Sequence, residues 1–241
     1  MKAFILFAAL FAVAVPLPAH AGERLIVAEL FTSQGCSSCP PADRLLAQLA
    51  QQDDILALSF AVDYWDYLGW TDKFGAPAHS NRQRDYNAAM GRRSIYTPQL
   101  ILNGRHQAVG SRTSQVRAAL DAARADRATG VSVEVSPDGT IAISGPAGGA
   151  EVLAVWYSPH ERVAVRRGEN RGRELHYTNI VLGMKKLRQS ARDGDRLHLP
   201  MQRIAEAGTR HVAVIVQQRN GGAVLGAADV VLPPSVLAPK G

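Results

Sequence analysis

The chain has 241 residues, 46% hydrophobic and 20% charged, with a formal net charge of +6. That is ordinary globular usage, enough for one large domain or two small ones, and it excludes a disordered chain. Two cysteines exclude a disulfide-rich scaffold, and a modest, dispersed basic excess without a nucleic-acid motif predicts a solvated surface rather than a nucleic-acid partner.

Met1-Lys2, the apolar run Ala3 to Val15 and the small-x-small string Ala19-His20-Ala21 are the three parts of a secretory signal peptide, residues 1–21. The run falls short of the ~20 apolar residues that a spanning helix needs, so no stable membrane anchor is expected. The expected location is periplasmic or secreted, where disulfides are permitted.

Arg24 to Phe31 is a near-continuous apolar run, suited to a strand covered on both faces. A polar turn, Thr32 to Gly35, leads to Cys36-Ser37-Ser38-Cys39-Pro40-Pro41. Ala42, Leu45, Leu46 and Leu49 then recur at helical spacing, predicting a helix from Pro41 to about Gln51. Asp43 suits the positive start of that helix. Ile55 to Val62 is a second apolar strand, and the order strand, helix, strand implies a parallel pair. A helix is expected from about Ser80 to Met90. Asn103-Gly104, between Gln99–Leu102 and Arg105–Val109, is a hairpin signal. Ser111 or Ser114 is expected to cap a further helix carrying Val116, Ala119, Leu120 and Ala123.

Near residue 129 the pattern changes to short alternating strands between Gly-rich turns, which predicts an antiparallel, sandwich-like region. Strands are expected at Glu151–Tyr157, Tyr177–Leu187, Arg210–Gln217 and Ala223–Leu232. The division is therefore an α/β part at 22–129 and a β-rich part at 130–241, the later strands forming either their own unit or an extension of the first sheet.

The chemistry centres on Cys36 and Cys39. A thiol at a helix start gains from the positive end of the helix dipole, which favours the nucleophilic thiolate. A second cysteine one turn away can resolve a mixed disulfide. Function in open parallel sheets sits beyond the carboxyl ends of the strands. Cys36 and Cys39 follow the first strand there, and Asp63, Tyr64 and Trp65 follow the second. Two alternatives stay open: a structural disulfide, or a metal clamp for copper or zinc. The histidines after the signal segment are scattered, none at short spacing from the cysteines. The CxxC lacks a following His, so covalent haem attachment is excluded.

The order strand, CxxC at a helix start, strand, Thr97-Pro98 and Asn-Gly hairpin looks like a thioredoxin-like domain. The strings Glu29 to Asp43, Val62 to Trp70, Tyr96 to Gln99 and Arg167 to Asn170 resemble the exported domain-of-unknown-function family 1223 over nearly the whole mature chain. The resemblance implies an exposed attacking Cys36, a resolving Cys39 and a cis bond before Pro98. It also implies a Thr97-Pro98 turn able to pair with an extended peptide. Gly35 departs from the pattern, which has an aromatic residue there. Pro40 and Pro41 also depart, because proline disfavours helical geometry in the residue before it. The function implied is an exported thiol–disulfide oxidoreductase acting on a disulfide-containing protein or small thiol, without a dissociable cofactor. The alternative is a non-catalytic binding module.

Glu29, a carboxylate inside an apolar strand, needs a partner or a raised pKa. It is a candidate proton relay to Cys39, or else a residue paired with an arginine. Thr97, Pro98, Asp63, Tyr64 and Trp65 are the candidate substrate contacts, with Tyr67 and Trp70 extending an aromatic groove. Arg166 to Arg173 is a dense polar run, read as a solvated loop or as a contact with the first domain or an anionic partner.

Overall fold

The computed structural model describes residues 25–126 and 129–237, so the expected signal segment lies outside the described residues. It is a mixed α/β protein with one large sheet. The strands are β1 (Ile26–Thr32), β2 (Ile55–Ala61), β3 (Gln99–Leu102), β4 (His106–Val109), β5 (Ser132–Val135), β6 (Thr140–Ser144), β7 (Glu151–Ala164), β8 (Glu174–Arg188), β9 (Arg196–His198), β10 (His211–Gln217) and β11 (Val224–Val231). The helices are α1 (Pro40–Leu49), α2 (Pro77–Ala89), α3 (Thr113–Ala125), α4 (Met201–Glu206) and α5 (Pro234–Leu237). Among the described residues no helix is long and apolar enough to cross a membrane.

Eight strands pair in the order β11-β10-β7-β8-β2-β1-β3-β4, and a second sheet has the order β5-β6-β9. β1 and β2 run parallel, as the apolar strands around α1 predict. β8 joins β2, so strands from both sides of residue 129 share the large sheet. The remaining pairs in both sheets are antiparallel.

Every residue of β1 and β2 is buried, because both faces are covered. Ile26, Ala28 and Leu30 meet Ala42, Leu46 and Leu49 of α1 and Val116, Leu120 and Ala123 of α3. Val27 and Phe31 point the other way, into a core with Phe60 and Tyr86 of α2. The small sheet packs Ile141 and Ile143 against Val152, Ala154, Val212 and Val214 of the large one. The small sheet thus covers one face of the later strands of the large sheet.

Several boundaries differ from expectation. α2 starts at Pro77, which takes the first helical position. Arg112, not a serine, precedes α3, and no side chain caps it. Asn103 and Gly104 have φ of 50° and 67°, the left-handed pair that a tight hairpin requires. β7 and β8 run beyond the predicted spans as a ribbon that pairs Ala164 with Glu174.

Candidate functional site

β1 ends at Thr32, and the chain turns through Ser33 to Gly35 into the CxxC. Cys36 N donates to Ser33 O and Gly35 N to Ser33 Oγ. Cys36 and Cys39 form a disulfide with a Cα–Cα distance of 5.4 Å. Cys39 is the residue just before α1 and has helical φ and ψ of −77° and −38°, although Pro40 follows it. Its carbonyl accepts from the amides of Ala42 and Asp43, and those helical bonds hold the geometry that the proline disfavours.

Ser37 and Ser38 are exposed, but the sulfur-bearing residues are not: Cys36 is 1% and Cys39 0% exposed. The expectation of an exposed attacking Cys36 is corrected here. The β7–β8 loop is hydrogen-bonded to this turn. Asn170, fully buried, donates through Nδ2 to Gln34 O and Cys36 O at 2.9 Å each. Ser37 N donates to Glu169 Oε2 at 3.0 Å, and the Ser37 hydroxyl, followed by this amide, lowers the Glu169 pKa. The dense polar run is therefore not simply a solvated loop. Its arginines are exposed, while Glu169 and Asn170 contact the first part of the chain.

The aromatic residue missing before Cys36 arrives from elsewhere in the chain. A Cβ on Gly35 would lie 2.9 Å from Trp65 Cβ, so Trp65 occupies the space a side chain there would need. Trp65 Nε1 donates to Thr97 Oγ1 at 2.8 Å. The Thr97–Pro98 bond is cis. A Cβ on Gly110 would lie 3.1 Å from Ala42 Cβ and 3.5 Å from Pro98 Cβ, so Pro98 stands beside the first turn of α1. Trp70 Nε1 donates to Gln34 Oε1 at 2.8 Å. Cys36, Cys39, Trp65, Thr97 and Pro98 thus gather at one end of β1, with Trp70.

Asp63 and Tyr64 face α2. Asp63 Oδ1 accepts from Ser80 Oγ at 2.5 Å, and the Tyr64 hydroxyl donates to Gln83 Oε1 at 3.1 Å. Burial pushes the Tyr64 phenol up to about 12. Tyr67 is 80% exposed and forms no wall of a groove.

Glu29 does not serve as a relay to Cys39. It lies on the face of the sheet opposite α1, where Arg82 grips it with two bonds, Nε to Oε2 at 2.8 Å and Nη2 to Oε1 at 2.6 Å. The Tyr86 hydroxyl donates to the same carboxylate at 3.0 Å. Alternation along β1 sends residue 29 to the side of Val27 and Phe31, which sets this pairing.

Two other carboxyls lie near the disulfide. Asp43, one turn past Cys39, is buried and accepts from Thr32 Oγ1 at 2.8 Å. Burial is the main cause that raises its pKa to about 7, and the Asp72 charge adds to it. Asp72, also buried, accepts from Gln34 N at 2.8 Å and Phe74 N at 2.9 Å. Burial outweighs those donors and raises Asp72 to about 6. The Tyr177 hydroxyl and Gln34 Nε2 are buried without a hydrogen-bond partner among the described residues. Burial, and then the charges of Asp43 and Asp72, push the Tyr177 phenol far up, which puts Tyr177 in the same polar cluster.

Sequence reasoning assigned Asp43 to the helix dipole and did not single out Asp72 or Tyr177. The available signal was spacing: Cys39, Asp43 and Leu46 fall on one helical stripe, so a carboxyl at 43 faces inward with Leu46. Among the described residues, no group of three or more His, Cys, Asp and Glu side chains comes together to hold a metal.

Comparison with known proteins adds the family. The crystal structure of protein AGR_C_4864 from Agrobacterium tumefaciens is similar at a TM-score of 0.73 and 32% identity, covering 89% of this chain and 97% of that one. HBP35 of Porphyromonas gingivalis is similar in fold alone, at a TM-score of 0.59 and 14% identity over 87% of this chain and 75% of that one. No curated protein matches the chain. The family model described as "Protein of unknown function (DUF1223)" matches residues 27–217, and the chain belongs to that family.

Proposed function

We propose that the protein is a thioredoxin-like thiol–disulfide oxidoreductase, working outside the cytoplasm through Cys36 and Cys39. One observation carries this reading. Two buried carboxyls with near-neutral pKa values stand against the turn that holds the disulfide. Burying a carboxyl costs several kcal/mol, and a purely structural bridge gives no return for placing two there. The helix start, Pro98 beside the first turn of α1 and the Trp65–Thr97 bond support the same reading. So do the first 21 residues, whose pattern is that of an export signal.

In the oxidised protein, a substrate thiolate attacks Cys36 Sγ. The Cys36–Cys39 bond breaks, and Cys39 leaves as a thiolate that takes up a proton. The second substrate thiol then displaces Cys36. The substrate leaves as a disulfide, its two electrons and two protons now on Cys36 and Cys39. Reduction of a substrate is the same path reversed. A carboxyl that changes charge near pH 7, as Asp43 does, can give or take the proton that Cys39 needs.

A thiol-exchange assay with an unstructured disulfide or dithiol peptide tests this. Cys36→Ser and Cys39→Ser are each expected to lose about 100-fold or more, since both sulfurs are needed for a full cycle. Equal rates in wild type and both variants would remove the reading.

The burial of both sulfurs favours one second reading, a permanent bridge that pins the start of α1. Its loop is short, so such a bridge gains little from chain entropy compared with a long one.

A further inference from the structure

We infer that the β7–β8 tip, residues 166–172, is a displaceable cap whose release from Gln34, Cys36 and Ser37 admits a reactant to the disulfide. The tip reads Arg166-Arg167-Gly168-Glu169-Asn170-Arg171-Gly172 and holds no apolar side chain. Its hold on the CxxC turn is polar: Asn170 Nδ2 to two carbonyls, and Glu169 Oε2 accepting from Ser37 N. Lifting it therefore sacrifices few bonds and little apolar contact beyond that of Gly168 with Trp70, the signature of a low-energy local opening.

The neck below the tip is different. Gly172 N donates to Val165 O and Val165 N to Arg173 O, each at 2.9 Å. Val165, Leu175 and Tyr177 are buried with Ile180, and Trp70 and Phe74 pack against them. This arrangement lets the tip move while the ribbon stays in place. Gly168 and Gly172, with φ of 75° and 79°, lie on either side of Asn170 in the left-handed region that glycine enters without strain. Arg173 Nη1 donates to Asn170 Oδ1 at 3.1 Å and orients the amide so that its nitrogen faces the two carbonyls. With the cap closed, Cys36 is 1% exposed, so attack on its sulfur requires the cap to leave.

The inference deepens the exchange reading and rests on it, so its test uses a chemistry that needs no biological partner. The oxidised full chain is reduced with tris(2-carboxyethyl)phosphine, and the thiols that appear are trapped and counted over time. The phosphine becomes its oxide, water supplies the oxygen, and its hydrogens end on the two thiols. Asn170→Ala is expected to be reduced about tenfold or more faster than wild type, the ratio that loss of one net hydrogen bond produces. Glu169→Ala, at an exposed position, is expected to gain about two- to fivefold by the same reasoning. It serves as the deciding variant should Asn170→Ala fail to fold. The wild-type rate should rise steeply in denaturant. Unchanged rates in folded variants, or a native wild-type chain reduced as fast as the denatured one, would overturn the cap. A faster Asn170→Ala that remains inert in the thiol-exchange assay would instead keep the cap and sink the exchange reading.

Discussion

Arg82→Met is expected to destabilise the protein by about 3–5 kcal/mol, measured by urea unfolding at pH 7. Arg82 and Glu29 are 6% and 1% exposed, and the guanidinium donates two bonds to that carboxylate and a third to the Tyr86 hydroxyl oxygen. Removing the cation leaves Glu29 buried with only the Tyr86 hydroxyl as donor. The cost is that of an uncompensated charge rather than of a lost contact. The double variant Glu29→Leu/Arg82→Met removes both charges and should recover most of the loss, because a buried pair is roughly matched by apolar residues of similar volume. A single variant that loses less than about 1 kcal/mol would mean that water reaches Glu29. The same experiment separates structure from chemistry. Glu29 faces away from α1, so the double variant should keep its thiol-exchange rate.

Asp43→Asn is expected to reshape the pH dependence of stability. In the folded protein, burial holds the Asp43 carboxyl up to about 7, against 3.8 when unfolded. Below both values the two states are equally protonated, and the group contributes nothing. Between them the unfolded chain releases the proton and the folded one keeps it, so stability falls as pH rises. Above about 7 the loss is complete. At 1.36 kcal/mol per pKa unit the full effect is about 4 kcal/mol. Asp72, raised to about 6, pulls in the same direction over a narrower window. Asparagine does not ionise. The stability of Asp43→Asn relative to wild type should therefore improve by about 3–4 kcal/mol between pH 4 and pH 8, even if its amide finds a poorer partner than the acid. Unfolding midpoints that run parallel in pH for the two proteins would show that Asp43 titrates normally.

The elements legible in the sequence were those whose burial is apolar and local. β1, β2 and α1 announce themselves through continuous or periodic hydrophobics, and the hairpin through Asn103-Gly104. α2 was seen only in part, because its buried face is polar. His79, Arg82, Gln83 and Asn87 point inward, and Gln83 and Asn87 both donate to Gln99. A rule that counts apolar residues cannot see such a face. Of the candidate site, the sequence pointed to Cys36, Cys39, Trp65, Thr97 and Pro98, which the fold brings together. The site was not legible at Asp72 or Asn170, whose bonds to Gln34 and Cys36 cross long stretches of chain. Local pattern carries no record of that pairing. Glu29 was flagged correctly as a residue in need of a partner, but the strand parity of its neighbours, which sends it to α2, had to be weighed against the relay role.

The most direct measurement is the midpoint potential of the Cys36–Cys39 couple, obtained by equilibrating the full chain in defined glutathione or dithiothreitol buffers. Exchange at this site predicts a value between about −270 and −120 mV, the range of thioredoxin-like oxidoreductases. A value below about −300 mV is that of a bridge no physiological thiol opens, and it would contradict the exchange function outright.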